Sequence, residues 1–396
     1  MREVVIIGVG MHKFGKFLDL GLNDLGRVAI WNAVHDAGID PKKIEAAYVG
    51  NSLGGLITGQ EGVRGHVIMR NAGFSRIPVV NVEGACASST IGLSEAWIAV
   101  GAGIYDVALA VGVEKMFLED TAKSLAALAT DSEISMLGNL GYMFAGGYAM
   151  SLRKYMKNYG WTQKHFAMVT SKNKYNGSLN PWAQHQQPMS VDEVLKSRTV
   201  AYPLTLYMCS TMADGASAVI ICAKEKAKQF TSKPTPTIAA CELYGIHWRD
   251  PDKPEDDDLG ALRTPINKAY EHAGVGPKDL DVVEVHDAMS PAEMMRCVAC
   301  GIYTAEDAPK WIEEERTTLK GQLPVNTSGG LAARGHPVGA TGTAQIVELT
   351  WQLRGDAGQR QVPGRKGKGP KLALAQNSGG QVGGEQAAAA ATILKI

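Results

Sequence analysis

The chain has 396 residues, enough for two packed domains or one fold duplicated. Lys plus Arg total 40 and Asp plus Glu total 40, so no long-range field favours nucleic acid or an anionic membrane. Six cysteines are too sparse for a disulfide scaffold and read as free thiols of a cytoplasmic protein, and no apolar run is long enough to span a bilayer.

The N-terminal MREVVIIGVGMHKFG reads as a first strand. It is no dinucleotide fingerprint, because Lys13 stands where G-x-G-x-x-G needs its third glycine. Residues 33–51, AVHDAGIDPKKIEAAYVGN, read as a helix closed by a glycine cap, a Pro-bearing turn and a short apolar strand. In VEGACASSTIGLSEAW, residues 82–97, Cys86 stands at the first turn of a predicted helix, whose free amides and dipole would favour the reactive thiolate. Taken alone, a small buried cysteine also fits as filler of a tight turn. DVALAVGVEKM, residues 106–116, is another strand. Residues 117–212 are rich in Met, Tyr, Asn and Gln and read as an inserted loop-and-helix domain that either shapes a pocket or covers the sheet. The acidic run RDPDKPEDDDLG, residues 249–260, reads as a solvated loop.

Further on, VVEVHDAMSPAE (282–293) is a buried strand ending in His286 and Asp287, before a helix opened by Ser290 and Pro291. A strand end is where side chains reach a cleft, although helix capping or a core hydrogen bond also explains His286. CVAC, Cys297 to Cys300, has the spacing of a metal or redox pair but lies in an apolar helical run, and reads as a packed face. In NTSGGLAARGHPVGATGTAQIVELTWQL (326–353), His336 sits in a Gly- and Pro-bracketed loop just before a helix. LAQNSGGQVGGE (374–385) offers glycine amides to an oxyanion.

An internal repeat ties these pieces together. Residues 33–51 and 269–287 superpose without gaps, and Ala33, Ala37, Gly38, Pro41, Lys42 and Val49 recur as Ala269, Ala273, Gly274, Pro277, Lys278 and Val285. The strand at 106–116 likewise matches the one at 371–380. Two matches in one order argue for two halves of one α/β design: 1–116 with 213–235, then 236–396, with 117–212 inserted. In that scheme the His336 loop is the counterpart of the Cys86 loop. The two meet at the pseudo-twofold axis, where an imidazole could take the thiol proton.

ACASS, HDAM, GHPVGATG and the late glycine-rich turn, in this order, resemble the thiolase superfamily over nearly the whole chain, and most of all its sterol-carrier-protein and archaeal types. The resemblance implies the thiolase fold, two βαβαβαββ halves in a five-layered αβαβα core. It implies Cys86 as acyl-accepting nucleophile, His336 as its base, and His286 as holder of a water on the thioester oxygen. The amides of Cys86 and Gly379 would form the oxyanion hole around the acyl carbonyl. The activity implied is cleavage of a 3-oxoacyl-CoA by CoA, or the reverse condensation, with coenzyme A as substrate and no metal or redox cofactor. The family's second acid/base is a cysteine at one of two positions, occupied here by Ala288 and Asn377. That departure leaves an acetoacetyl-CoA thiolase, a carbon–carbon lyase of the aldolase type and a non-catalytic subunit as alternatives. It also suggests a bulky aromatic substrate such as 2-benzoylsuccinyl-CoA, with Ala288, Met289, Asn377, Met143, Met150, Gly146 and Gly147 as pocket material. The same resemblance implies a homodimer paired through central strands and a small partner with a zinc ribbon and an OB fold.

Overall fold

The computed structural model describes residues 1–246, 259–383 and 385–396, so most of the acidic run expected at 249–260 lies outside the described residues. The chain opens with β1 (Val4–Met11), α1 (Leu22–Ala37), β2 (Ala46–Gly50), α2 (Gly54–Thr58), α3 (Arg64–Asn71), β3 (Val79–Val82), α4 (Ser88–Gly101) and β4 (Val107–Glu114). The insertion follows as α5 (Thr121–Ala129), α6 (Phe144–Tyr159), α7 (Gln163–Ser178), α8 (Val191–Lys196) and a small hairpin, β5 (Thr199–Ala201) with β6 (Leu204–Thr205). Strand β7 (Gly215–Ala223) closes the first half. The second half runs β8 (Thr237–Gly245), α9 (Gly260–Ala273), β9 (Val282–Glu284), α10 (Ala292–Ala299), α11 (Ala308–Glu313), α12 (Gly330–Arg334), α13 (Thr341–Arg354), β10 (Leu372–Val382) and β11 (Glu385–Lys395).

The repeat is visible in three dimensions. Helices α1 and α9 both end on a left-handed glycine, Gly38 at φ 68° and Gly274 at φ 67°. Each is followed by a Pro-led 3-10 turn and then by β2 or β9. Helices α4 and α13 are both 14 residues long, and each follows a three-residue 3-10 turn, Ala85–Ala87 or Val338–Ala340. The halves differ at their third strand: where the first has β3, the second has only a single parallel bridge between Val325 and Val283.

The strands form the order β3-β2-β4-β7-β1-β8-β11-β10-β9, the two halves meeting where Val5 of β1 pairs with Thr237 of β8. Alternation along β1 shows the layering. Val5 and Ile7 pack with Leu25 and Ile30 of α1, whereas Val4 and Ile6 pack with Leu93 of α4 and Ile346 of α13. In β10 and β11, Leu374 and Ile393 face Ile266 of α9, and Ala373 and Leu394 face the same inner cluster. The result is five layers, with α4 and α13 buried between two sheet halves and α1 and α9 outside. Strands covered on both faces must be apolar throughout, which is why β1, β4 and β7 lack a polar alternation. Cys297 and Cys300 are buried in the outer core beside α9, as the packed-face reading of CVAC expects.

Glycines let the central helices start against the sheet. A Cβ on Gly112 of β4 would lie 2.6 Å from both Ala340 Cα and the Gly339 carbonyl oxygen, backbone that cannot yield cheaply. Gly112→Ala should therefore destabilise the fold by about 1–3 kcal/mol, read as a lower midpoint in urea unfolding with an unchanged slope.

Candidate active site

Cys86 lies in the 3-10 turn between β3 and α4, one turn before the helix proper. The turn is held locally. Ala85 sits in the left-handed region at φ 49°, its amide donating to Glu83 Oε1 at 2.7 Å. Ser88 Oγ accepts from the Gly84 amide at 3.0 Å and donates to the Ala85 carbonyl at 2.7 Å. His336 precedes the equivalent turn at the start of α13. Glu114, at the end of β4, ties the His336 turn to the Asn51–Leu53 loop of the first half. Its carboxylate accepts from the Gly339 amide at 3.0 Å, the Ser52 amide at 2.9 Å, the Leu53 amide at 3.2 Å and Asn51 Nδ2 at 2.8 Å.

His286 follows β9. The structure thus brings together the three residues that sequence placed far apart: the Cys86 sulfur and one ring nitrogen from each of His286 and His336 all lie within 4.8 Å of one another. The two imidazoles meet edge to face at 5.2 Å between centroids. Asp287, next in sequence, faces away from them and accepts from the Leu331 amide at 2.8 Å and Asn173 Nδ2 at 3.1 Å. It holds the loop that carries His336.

Hydrogen bonding assigns the ring protons. Thr341 Oγ1 donates to the Pro337 carbonyl at 3.0 Å, so at 2.8 Å from His336 Nδ1 it accepts, and His336 Nε2 is left bare. Asn377 Nδ2 donates to His286 Nδ1 at 3.3 Å, so His286 carries its proton on Nε2. One histidine is built as an acceptor and the other as a donor.

Burial holds both neutral. It pushes His336 down to about 3, helped by Arg334, and takes His286 well below its ordinary range, helped by His336 and Arg296. The thiol runs opposite to expectation. Although part of Cys86 reaches the cavity, burial pushes its pKa well up, reinforced by the Asp131 and Glu114 carboxylates and only partly offset by the amides of Cys86 and Gly380. A ready thiolate at a helix start is not what the fold makes; the resting sulfur is protonated and needs a base. Sulfur and two imidazoles at this spacing are also donor types of zinc.

The three groups line a cavity of about 60 Å³, room for about four waters. Ala288, Met289 and Gly379 border it as expected, while Asn377 stands behind His286. A Cβ on Gly379 would lie 2.3 Å from the Gly84 carbonyl oxygen and 2.8 Å from the Cys86 nitrogen, so only glycine lets β10 press against the cysteine turn. The amide directed at the sulfur is that of Gly380, one residue on. Met143 and Met150, expected as pocket material, are 54% and 65% exposed, and Gly146 and Gly147 do not border the cavity either. The insertion instead contributes Phe144 and Tyr148, four residues apart on one face of α6, with Leu128 and Ser210. That spacing was the available signal, masked by the methionines around it.

Imidazoles held neutral bind fewer protons than they would in the unfolded chain, so stability falls as pH drops through 6.5, and for His336 onward to about 3. Between about pH 7 and about pH 5 the wild type should therefore lose melting temperature relative to His336→Asn, which lacks the His336 contribution. The same variant should slow alkylation of Cys86 by iodoacetamide about 100-fold.

Comparison with known proteins agrees with this geometry. The family description "Thiolase, N-terminal domain" matches residues 4–225 and "Thiolase C-terminal domain-like" matches residues 253–395. An acetyl-CoA acetyltransferase of Methanothermobacter thermautotrophicus is 38% identical over 386 residues, 97% of this chain and 98% of that one. The benzoylsuccinyl-CoA thiolase subunit BbsB of Thauera aromatica is 33% identical over 96% of this chain and 95% of its own. Bovine (Bos taurus) sterol carrier protein 2 is 33% identical over 96% of this chain and 70% of its own. Among solved structures, the Ltp2-ChsH2(DUF35) aldolase superposes with a TM-score of 0.81 over 99% of this chain and 97% of its own at 21% identity, a likeness of fold alone. The chain belongs to the thiolase family of acyltransferases.

Proposed function

We propose that the chain cleaves a short 3-oxoacyl-CoA with free CoA, or condenses two acyl-CoA molecules in reverse, through an acyl group carried on Cys86. The observation that carries this is the pairing of a protonated thiol with a bare imidazole nitrogen, beside a second imidazole that presents N–H. His336 Nε2 takes the thiol proton as the sulfur attacks the 3-oxo carbon. The amides of Cys86 and of the Gly379–Gly380 turn receive the oxyanion. As the bond between the alpha and beta carbons breaks, the enolate oxygen accepts from the protonated His336 and from His286 Nε2–H or a water it holds. CoA then releases the acyl group. The scheme draws on no redox cofactor.

Two observations favour a short acyl group: the small cavity, narrowed by Phe144 and Met289, and the relatives named acetyl-CoA acetyltransferase. Acceptance of 2-benzoylsuccinyl-CoA, the substrate in the name of the Thauera relative, would require both side chains to withdraw. A small partner protein is part of this reading, supported by a relative named as a subunit and by a structural neighbour titled as a complex with a DUF35 chain. So is a homodimer, formed along β3, a strand at the end of the sheet order that leads directly into the cysteine turn. No helix among the described residues is long and apolar enough to cross a membrane, which fits the cytoplasmic setting proposed.

Acetoacetyl-CoA with CoA should be turned over with acetyl label trapped on Cys86, and 2-benzoylsuccinyl-CoA should react more slowly. Cys86→Ala should lose about 10⁴-fold or more in turnover. A Cys86→Ala protein that kept wild-type turnover would sink the acyl-enzyme reading, and product release independent of CoA would favour a lyase. Purified chain that is active only with a co-expressed zinc-ribbon protein would assign the partner an obligatory part.

A further inference from the structure

The family thiol that moves the second proton has no counterpart at Ala288 or Asn377, yet the cavity holds another acidic hydrogen. Tyr148 of α6 borders the same space as Cys86, His286 and Ala288. Its phenolic oxygen accepts from Arg296 Nη2 at 3.3 Å, and among the described residues no group accepts the phenol's own hydrogen. Arg296 is itself unusual. The residue is 4% exposed, its Nε donates to the His286 carbonyl at 3.3 Å, and among the described residues it forms no ion pair. A buried cation without a counter-charge stabilises an anion placed beside it, and the nearest candidate is a phenolate.

Resting on the thiolase reading above, we propose that Tyr148 is the second acid/base of this site, activated by Arg296. The steps balance. After the Cys86 thiolate has attacked and the carbon–carbon bond has broken, the electron pair resides on the enolate of the leaving acyl-CoA. The Tyr148 hydroxyl gives its proton to the alpha carbon and becomes a phenolate beside Arg296. The phenolate takes the proton of incoming CoA, whose thiolate attacks the acyl carbon on Cys86. The Cys86 thiolate leaves and recovers the proton that His336 has held.

The chemistry suits a phenol better than its rivals. An ordinary tyrosine, near 10, lies within about two units of a cysteine thiol. Ser378, whose Oγ is also buried without a partner and borders the cavity, is a far weaker acid. Burial keeps the Tyr148 phenol protonated at rest, and the Arg296 charge opposes that shift. Neighbourhood to the nucleophile rests on geometry, since Tyr148 and Cys86 line the same cavity.

The test separates proton transfer from scaffolding. Tyr148→Phe should keep iodoacetamide alkylation of Cys86 within about twofold of wild type, because that step needs only His336, while kcat for acetoacetyl-CoA thiolysis falls about 100-fold or more with little change in KM. Ala288→Cys, added to Tyr148→Phe, should restore at least tenfold of the loss by returning a thiol to the site. Wild-type kcat in Tyr148→Phe overturns the proposal. Joint loss of alkylation and turnover that Ala288→Cys does not relieve also overturns it, in favour of a structural role. A wild-type chain that alkylates at Cys86 but turns over no 3-oxoacyl-CoA, alone or with the co-expressed zinc-ribbon protein, overturns the thiolase reading instead.

Discussion

The site depends on how closely two turns, 3-10 in form, can approach each other across the central layer. Both precede a buried helix, and each must sit against the end of a strand from the other half. Gly112 supplies the space on one side, since any Cβ there would meet the backbone of Ala340 and Gly339. Glu114 supplies the attraction, one carboxylate collecting donors from the Asn51–Leu53 loop and from Gly339. A buried carboxylate is tolerated only when so fully hydrogen bonded, and here the same bonds fix the His336 turn against the first half.

Burial then fixes the resting protonation states. A helix dipole contributes about 0.3–1 kcal/mol, less than one pKa unit, while burial of a charged group shifts it by several. At Cys86 the larger effect wins, and the nearby Asp131 and Glu114 carboxylates act in the same direction. The thiol and both imidazoles therefore rest neutral, the state that burial penalises least. The amides of Cys86 and Gly380 and the N–H of His286 are the groups placed to meet any charge that develops there.

Much of this was legible in the sequence, because periodicity and the repeat are local signals. Buried strands without polar alternation, paired glycine caps at Gly38 and Gly274 and the two matched segments lead to a duplicated α/β fold. The repeat in turn brings His336 to Cys86. What depends on packing between distant elements was not legible. The four-residue spacing of Phe144 and Tyr148 hints at one face of α6, but only packing decides that this face turns inward while Met143 and Met150 stay exposed. The reduction of the second half's third strand to one bridge at Val325, and the pairing of Arg296 with Tyr148, are likewise decided by tertiary packing.

The duplication also explains why the two turns differ. Aligning β4 with β10 sets Glu114 opposite Gly379, and aligning the turns sets Gly339 opposite Cys86. In one half a carboxylate reaches the glycine turn and fills the space in front of it. In the other a glycine strand end presses against the cysteine turn and leaves that space open as the cavity. Exchange of side chains at these two related places thus converts a symmetric scaffold into one clamp and one reaction chamber. The clamp holds the second half's turn at the distance from which His336 reaches the thiol.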